Sequence, residues 1–296
     1  MLKLSRIICK KTHNVWKIRA NMMSQSQIID KDIRLDFCST KEEREEFYKI
    51  AGESFFISSI SLRYLPDEEK RKQFLPAYFR YLHEEQIATG KATLMALKKR
   101  ENIEGKEVWK TAYSGVYAYD TTPTEHADAS GIMEIYEEGA EAMIKRDKWF
   151  EENIDGPLRD IALKFGTAAW LMARQAVTKE YKNQNYGLKY SRFSTNIAYE
   201  MGLKKHAESN NSPFKYPPFE YVASSDTFPG GMKLMEKSGM YAAAHLHYDH
   251  KPGLKCYLDS EEKNRSKHSC YFIMVDKKIH PVLKEELNKT FNKAKL

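Results

Sequence analysis

Cysteine is scarce in this chain: four residues in 296, at positions 9, 38, 256 and 270, with no spacing typical of a zinc site or a disulfide framework. That scarcity excludes a disulfide-stapled scaffold and points to reduced thiols. Long apolar runs are also missing, so no segment reads as a membrane-spanning helix and no membrane partner is expected. Glycine and proline number only 14 and 10, and no repeat or low-complexity tract interrupts the chain. Neither a nucleophile elbow nor a dinucleotide or kinase glycine loop is present; Gly230-Gly231 lacks the flanking pattern.

Acidic residues are absent from one region only. Lys3, Arg6, Lys10, Lys11, Lys17 and Arg19 all precede the first acid, Asp30. Of 48 basic residues these six account for nearly the whole net charge of +7, leaving 42 against 41 acidic ones. The body of the chain is close to neutral, so nucleic-acid binding, which needs a basic face on the folded domain, is not expected. Residues 1–29 read as a basic N-terminal extension. Their composition suits a mitochondrial transit peptide, with a disordered tail as the alternative, so the expected location is cytoplasmic or mitochondrial.

What is present begins with a strand over Ile33–Cys38 and a helix opened by a capping box, Thr40 with Glu43. The helix carries Phe47, Ile50, Ala51 and Phe55 on one face. A second helix follows Pro66 through Phe74, Tyr78, Tyr81 and Leu82. Strands are predicted over Ala92–Lys98 and Val108–Asp120, joined at Glu104-Gly105-Lys106. Apolar residues from Ile132 to Ile144 recur at helical spacing, and Pro157 and Gly166 bracket a further helix. Beyond residue 200 the expectations are a loop over 205–217, strands over Tyr221–Ser224, Tyr241–Tyr248 and Cys270–Val275, a short helix over Met232–Ser238 and a terminal helix over Val282–Phe291.

The most informative stretch is Trp170–Leu188. An apolar strand ends at Val177, a polar turn follows, and a helical pattern marked by Tyr190, Phe193, Ile197 and Met201 opens near Gly187. The first N–H groups of such a helix have no internal partners, and the helix dipole makes that end attractive to phosphate.

This stretch resembles the acetyl-CoA-binding motif of the GNAT-type N-acetyltransferase superfamily. Val177-Thr178-Lys179-Glu180-Tyr181 matches the strand end, and Lys182-Asn183-Gln184-Asn185-Tyr186-Gly187 fills the loop. A second resemblance lies at Ala223-Ser224, Gly231 and Leu234-Met235-Glu236-Lys237-Ser238-Gly239-Met240, and a weaker one at Gly115 to Pro123. The resemblance implies an α/β fold: a mixed, mostly antiparallel sheet flanked by helices, forming a single domain over 30–296 with a helical insertion at about 124–166. It also implies that the strand ending at Val177 splays from the strand near Tyr221–Ser224.

Acetyl-CoA as co-substrate would then pair with the backbone at Gln175 and Val177. Its pyrophosphate would meet the turn formed by Lys182, Asn183, Gln184, Asn185, Tyr186, Gly187 and Leu188. The implied activity is direct acyl transfer to a small-molecule or peptide amine, with no metal. Departures from the motif are Lys182 for Arg or Gln, Asn185 for the first glycine, and Met235 for a tyrosine that resembles a general acid. Relatives often carry Glu or His on the strand before the loop, where this chain offers Arg174 and Gln175. His245 and His247 share a strand face, and with His250 and Cys256 raise a metal reading; ordinary strand histidines are the simpler account. The alternative function is a catalytically inactive binding or assembly subunit with a protein partner.

Overall fold

The computed structural model describes residues 27–119, 128–210, 215–225, 234–247 and 270–292. Expectations placed on Asp120, Pro123, Gly230, Gly231, His250, Cys256 and the basic N-terminal extension before residue 27 lie outside the described residues.

Strand β1 (Gln27–Asp30) turns back on β2 (Ile33–Phe37). Helix α1 (Lys41–Phe55) opens with the predicted capping box: Glu43 N–H donates to Thr40 Oγ1 and Thr40 N–H to a Glu43 carboxylate oxygen, both at 3.2 Å. A short helix α2 (Ser59–Tyr64), which its Ser-rich sequence did not reveal, precedes α3 (Glu68–Ala88). Helices α1 and α3 pack closely at Gly52, where a Cβ would stand 2.7 Å from the Pro76 ring. The hairpin of β3 (Ala92–Ile103) and β4 (Lys106–Tyr119) turns at Glu104 and Gly105 with φ of 53° and 80°, the left-handed pair that matches strand twist.

Helix α4 (Ser130–Phe150) runs through a π turn (Glu151–Asp155) into α5 (Gly156–Phe165), which stops at Gly166 with φ of 60°. The sequence suggested two separate helices here. Pro157 has no N–H and its ring presses on the carbonyl four residues earlier, and the wider turn sits where that conflict falls. Then come β5 (Ala169–Val177), a 3-10 turn (Lys179–Tyr181), α6 (Tyr186–Asn210), β6 (Phe219–Ser225), β7 (Met240–His247), β8 (Cys270–Asp276) and α7 (Pro281–Asn292). Helix α6 continues to Asn210, so the predicted loop at 205–217 starts too early; the polar residues 205–210 extend the helix instead.

The eight strands form one sheet in the order β1-β2-β3-β4-β5-β6-β8-β7, antiparallel except for β5 with β6. One face carries two apolar clusters. Phe47, Phe74, Tyr78 and Val116 join α1, α3 and α4 to the first half of the sheet. Leu158, Phe219, Ile273 and Leu283 join α5 and α7 to the second half. The other face is covered by α6, whose Tyr186, Tyr190 and Ala198 pack on Tyr113, Tyr117, Trp170 and Met172.

Beneath α6 lies a carboxyl that contributes nothing to this packing. Glu220 is fully buried, beside Thr195, and neither carboxylate oxygen has a hydrogen-bond partner of normal geometry among the described residues. Burial, then the nearby Asp276, holds its pKa well above the usual carboxylate range. Folded protein therefore keeps a proton that the unfolded chain releases, and stability falls as pH rises above the ordinary carboxylate range towards the folded pKa. Glu220→Gln should match the wild type near pH 4 and be the more stable protein at pH 8, the gap growing by at most about 1.4 kcal/mol per pH unit. Thermal unfolding at both pH values checks this; an unchanged gap would contradict it.

Candidate functional site

The site is built where the sheet fails to close. Strand β5 pairs with β6 only through Ala169–Phe219, Trp170–Glu220 and Leu171–Tyr221. Beyond Leu171, β5 continues for six residues and β6 for four, with no pairing between them. An unpaired strand edge inside a sheet leaves backbone donors and acceptors facing the gap.

Which groups face it follows from the register with β4. Thr178 N–H donates to Ala112 C=O at 3.1 Å, so that residue turns its polar groups toward β4. Alternation along the strand turns those of Gln175 and Val177 the other way, into the gap. A bulge interrupts the ladder, since Tyr117 pairs with Met172 and Val116 with Arg174 while Ala173 has no partner. The extra residue sets the side chains of Ala173 and Arg174 on the same face, that of α3 and α4. Gln175 and Met172 lie on the α6 face, where Tyr113 Oη donates to Gln175 Oε1 at 2.9 Å.

The chain leaves β5 through the 3-10 turn, pinned by two tyrosines. Tyr181 and Tyr186 are 4% and 8% exposed and meet edge to face with centroids 5.6 Å apart. Tyr181 Oη donates to Glu101 at 2.6 Å, which helps hold that carboxyl below its usual pKa. Between them the backbone turns with left-handed residues at Asn183 (φ 66°) and Asn185 (φ 61°). Asparagine tolerates this region better than other residues with a Cβ. Helix α6 then starts at Tyr186.

Amide by amide, the turn from Lys182 to Leu188 divides into bonded and open donors. Lys182 and Gln184 N–H each donate to a local carbonyl, at a long 3.4 Å. The amides of Asn183, Asn185, Tyr186, Gly187 and Leu188 have no intramolecular acceptor among the described residues. Five unpaired N–H groups at a helix start, two of them on left-handed residues, suit an anion. The side chains of Lys182, Asn183, Gln184 and Asn185 are exposed, with Gln184 Nε2 donating back to Glu180 C=O. Tyr186 gives its ring to the core, and Leu188 is half-buried. Gly187 faces inward: a Cβ there would stand 3.1 Å from Tyr113 and 3.4 Å from Leu234. Its glycine serves helix packing, a role invisible without the partner strand.

A mixed sheet split after three parallel pairs, with the helix start at the mouth of the split, is the arrangement that the sequence resemblance implied. The fold is GNAT-like. Within that fold Met235 sits on the helical turn at 234–237, buried beside Tyr186 and Tyr190. A thioether there donates no proton. His245 and His247 lie on β7, paired with Phe272 and Cys270. No group of three or more metal-ligating side chains occurs among the described residues, and none of their helices is long and apolar enough to cross a membrane.

No protein-family model and no curated protein matches the sequence. Among solved structures the chain is similar to a mosquito arylalkylamine N-acetyltransferase-like 5b, with 15% identity and a TM-score of 0.46 over 82% of this chain and 99% of that one. It is similar to the C-terminal condensation domain of Ebony in complex with β-alanyl-dopamine, at 10% identity and 0.49 over 82% and 98%. A third is arylalkylamine N-acetyltransferase 7 of the yellow fever mosquito, at 9% and 0.47 over 82% and 86%. Scores this low assign no activity or substrate to the chain; its own strand order and split sheet carry the fold.

The tyrosine anchor is directly testable. Tyr181→Ala removes a buried ring and should cost about 3 kcal/mol. Tyr181→Phe removes only the bond to Glu101 and should cost about 1 kcal/mol or less. Urea denaturation of both variants checks the ordering, and equal small losses would show that the turn is held by other contacts.

Proposed function

We propose that the protein is an acyl-CoA-dependent N-acyltransferase that uses acetyl-CoA to acylate an amine, in a small molecule or a peptide. One observation supports this above others: the open edge at Gln175 and Val177 leads into the turn where the amides of Asn183, Asn185, Tyr186, Gly187 and Leu188 are unpaired. That continuity suits a ligand with a thin amide-bearing arm joined to a diphosphate. Pantetheine amides would extend the sheet at the two open residues, and the diphosphate would take the amides at the start of α6, with Lys182 beside it.

When bound, acetyl-CoA supplies an activated thioester acyl group. The chain's contribution on this reading is positional. Strand β5 holds the coenzyme arm along its edge, the split admits the amine from the opposite face, and the pairing at Leu171 and Tyr221 closes the floor against water. The acceptor nitrogen forms its new bond to the acyl carbon as the thiolate leaves, with no covalent bond to the protein. Buried Met235 cannot protonate the departing sulfur, so that proton comes from solvent or substrate. Met235 is also the observation that favours the second reading, a GNAT-fold binding subunit without turnover. Acetyl transfer to any amine in a substrate panel would remove that reading.

Calorimetry with acetyl-CoA tests the proposal. Lys182→Glu, an exposed change, should weaken binding roughly tenfold at low salt and less at high salt. Asn185→Gly should retain or tighten binding, because it removes both a side chain and a left-handed strain from the loop. Absence of binding at millimolar coenzyme would contradict the proposal.

A further inference from the structure

On the α3 and α4 side of the split lie charged side chains of α4 and β5. Asp147 is engaged on both oxygens: Tyr78 Oη donates to one at 2.5 Å and Arg146 Nη1 to the other at 3.1 Å. Arg174 projects onto this same face from the part of β5 that is not paired with β6, and its charge acts on the buried Tyr78 and His83. Its Nη1 donates to the Ala173 carbonyl at 2.8 Å. No carboxylate among the described residues pairs with it. His83 does not compete for an anion, because burial and then Arg174 push its pKa down to about 3 and leave it neutral. Half-buried Arg174 thus keeps most of its five donors unused on this face of β5.

We infer that Arg174 receives a carboxylate on the acceptor, so that the preferred substrates are amines that also carry an acid group, as amino acids do. The inference rests on the acyltransferase reading of the split. A guanidinium binds a carboxylate through two parallel hydrogen bonds, which fixes direction as well as charge. The bulge at Ala173 is the device that turns Arg174 to this face rather than toward the coenzyme side. With the acid anchored on β5, the amine of a short acceptor reaches along the floor of the split toward the acyl group.

The test uses the full chain and acetyl-CoA with amino acids, each paired with its decarboxylated amine, following thiol release. Wild type should favour the carboxylated member by roughly 10- to 100-fold in kcat/KM, the range lost with a charge-assisted hydrogen bond. Arg174→Gln should erase that preference mainly through KM, and Arg174→Lys should restore part of it. Calorimetry with N-acetylated products of both kinds, in the presence of coenzyme A, gives the same comparison without turnover. Equal or better use of the decarboxylated amines by wild type, or a preference unchanged in Arg174→Gln, overturns the assignment. Loss of coenzyme binding in Arg174→Gln also overturns it, since the residue would then serve the coenzyme. Failure of the wild type to bind coenzyme A sinks the acyltransferase reading itself; binding without a carboxylate preference sinks only the role of Arg174.

Discussion

The structure turns on a pairing that stops. Two parallel strands that stayed together to their ends would close the sheet and leave α6 a covering helix. Here β5 and β6 part after Leu171 and Tyr221, and every other feature of the site depends on that separation. It leaves backbone groups at Gln175 and Val177 without strand partners, a cost that folding tolerates only because they remain open to solvent or to a ligand. The apolar core on one face likewise falls into two clusters, one on each half of the sheet.

The rest of the sheet holds that gap rigid. Strand β5 is fixed on its other edge by seven residue pairs with β4 and on the α6 face by Tyr113, Tyr117 and Tyr190. Tyr190 Oη reaches Gly115 C=O at 3.0 Å, and a Cβ at Gly115 would stand 2.7 Å from that oxygen, so the helix comes this near only because a glycine faces it. Tyr181 and Tyr186 then fix the turn from beneath. A turn whose open donors are backbone amides needs such scaffolding, since no side-chain rotamer can adjust if it is misplaced.

Local signals in the sequence carried most of the elements. The capping box at Thr40 and Glu43, the Glu104-Gly105 turn, Gly166 as a helix stop and the strand-to-helix junction at Val177–Tyr186 all act within a few residues, and the structure shows each. What stayed hidden depends on contacts between distant segments. The bulge at Ala173 exists only against β4, and it alone tells that Arg174 faces α3 and α4. Gly187 reads as a loop glycine until Tyr113 and Leu234 are placed against it. The buried state of Glu220 contradicts its charge, and only the packing of α6 over β6 makes it intelligible. Helix α2 has too few residues and too little apolar periodicity to announce itself.

Backbone protection reports on the central claim more directly than any activity. Amide hydrogen exchange should be followed in the free protein and at saturating coenzyme A, across 173–177 of β5 and 183–188 at the start of α6. The account predicts that both segments, and few others, become protected together when the coenzyme is added. Unchanged exchange in both segments, or protection confined to a surface away from the split, would contradict it.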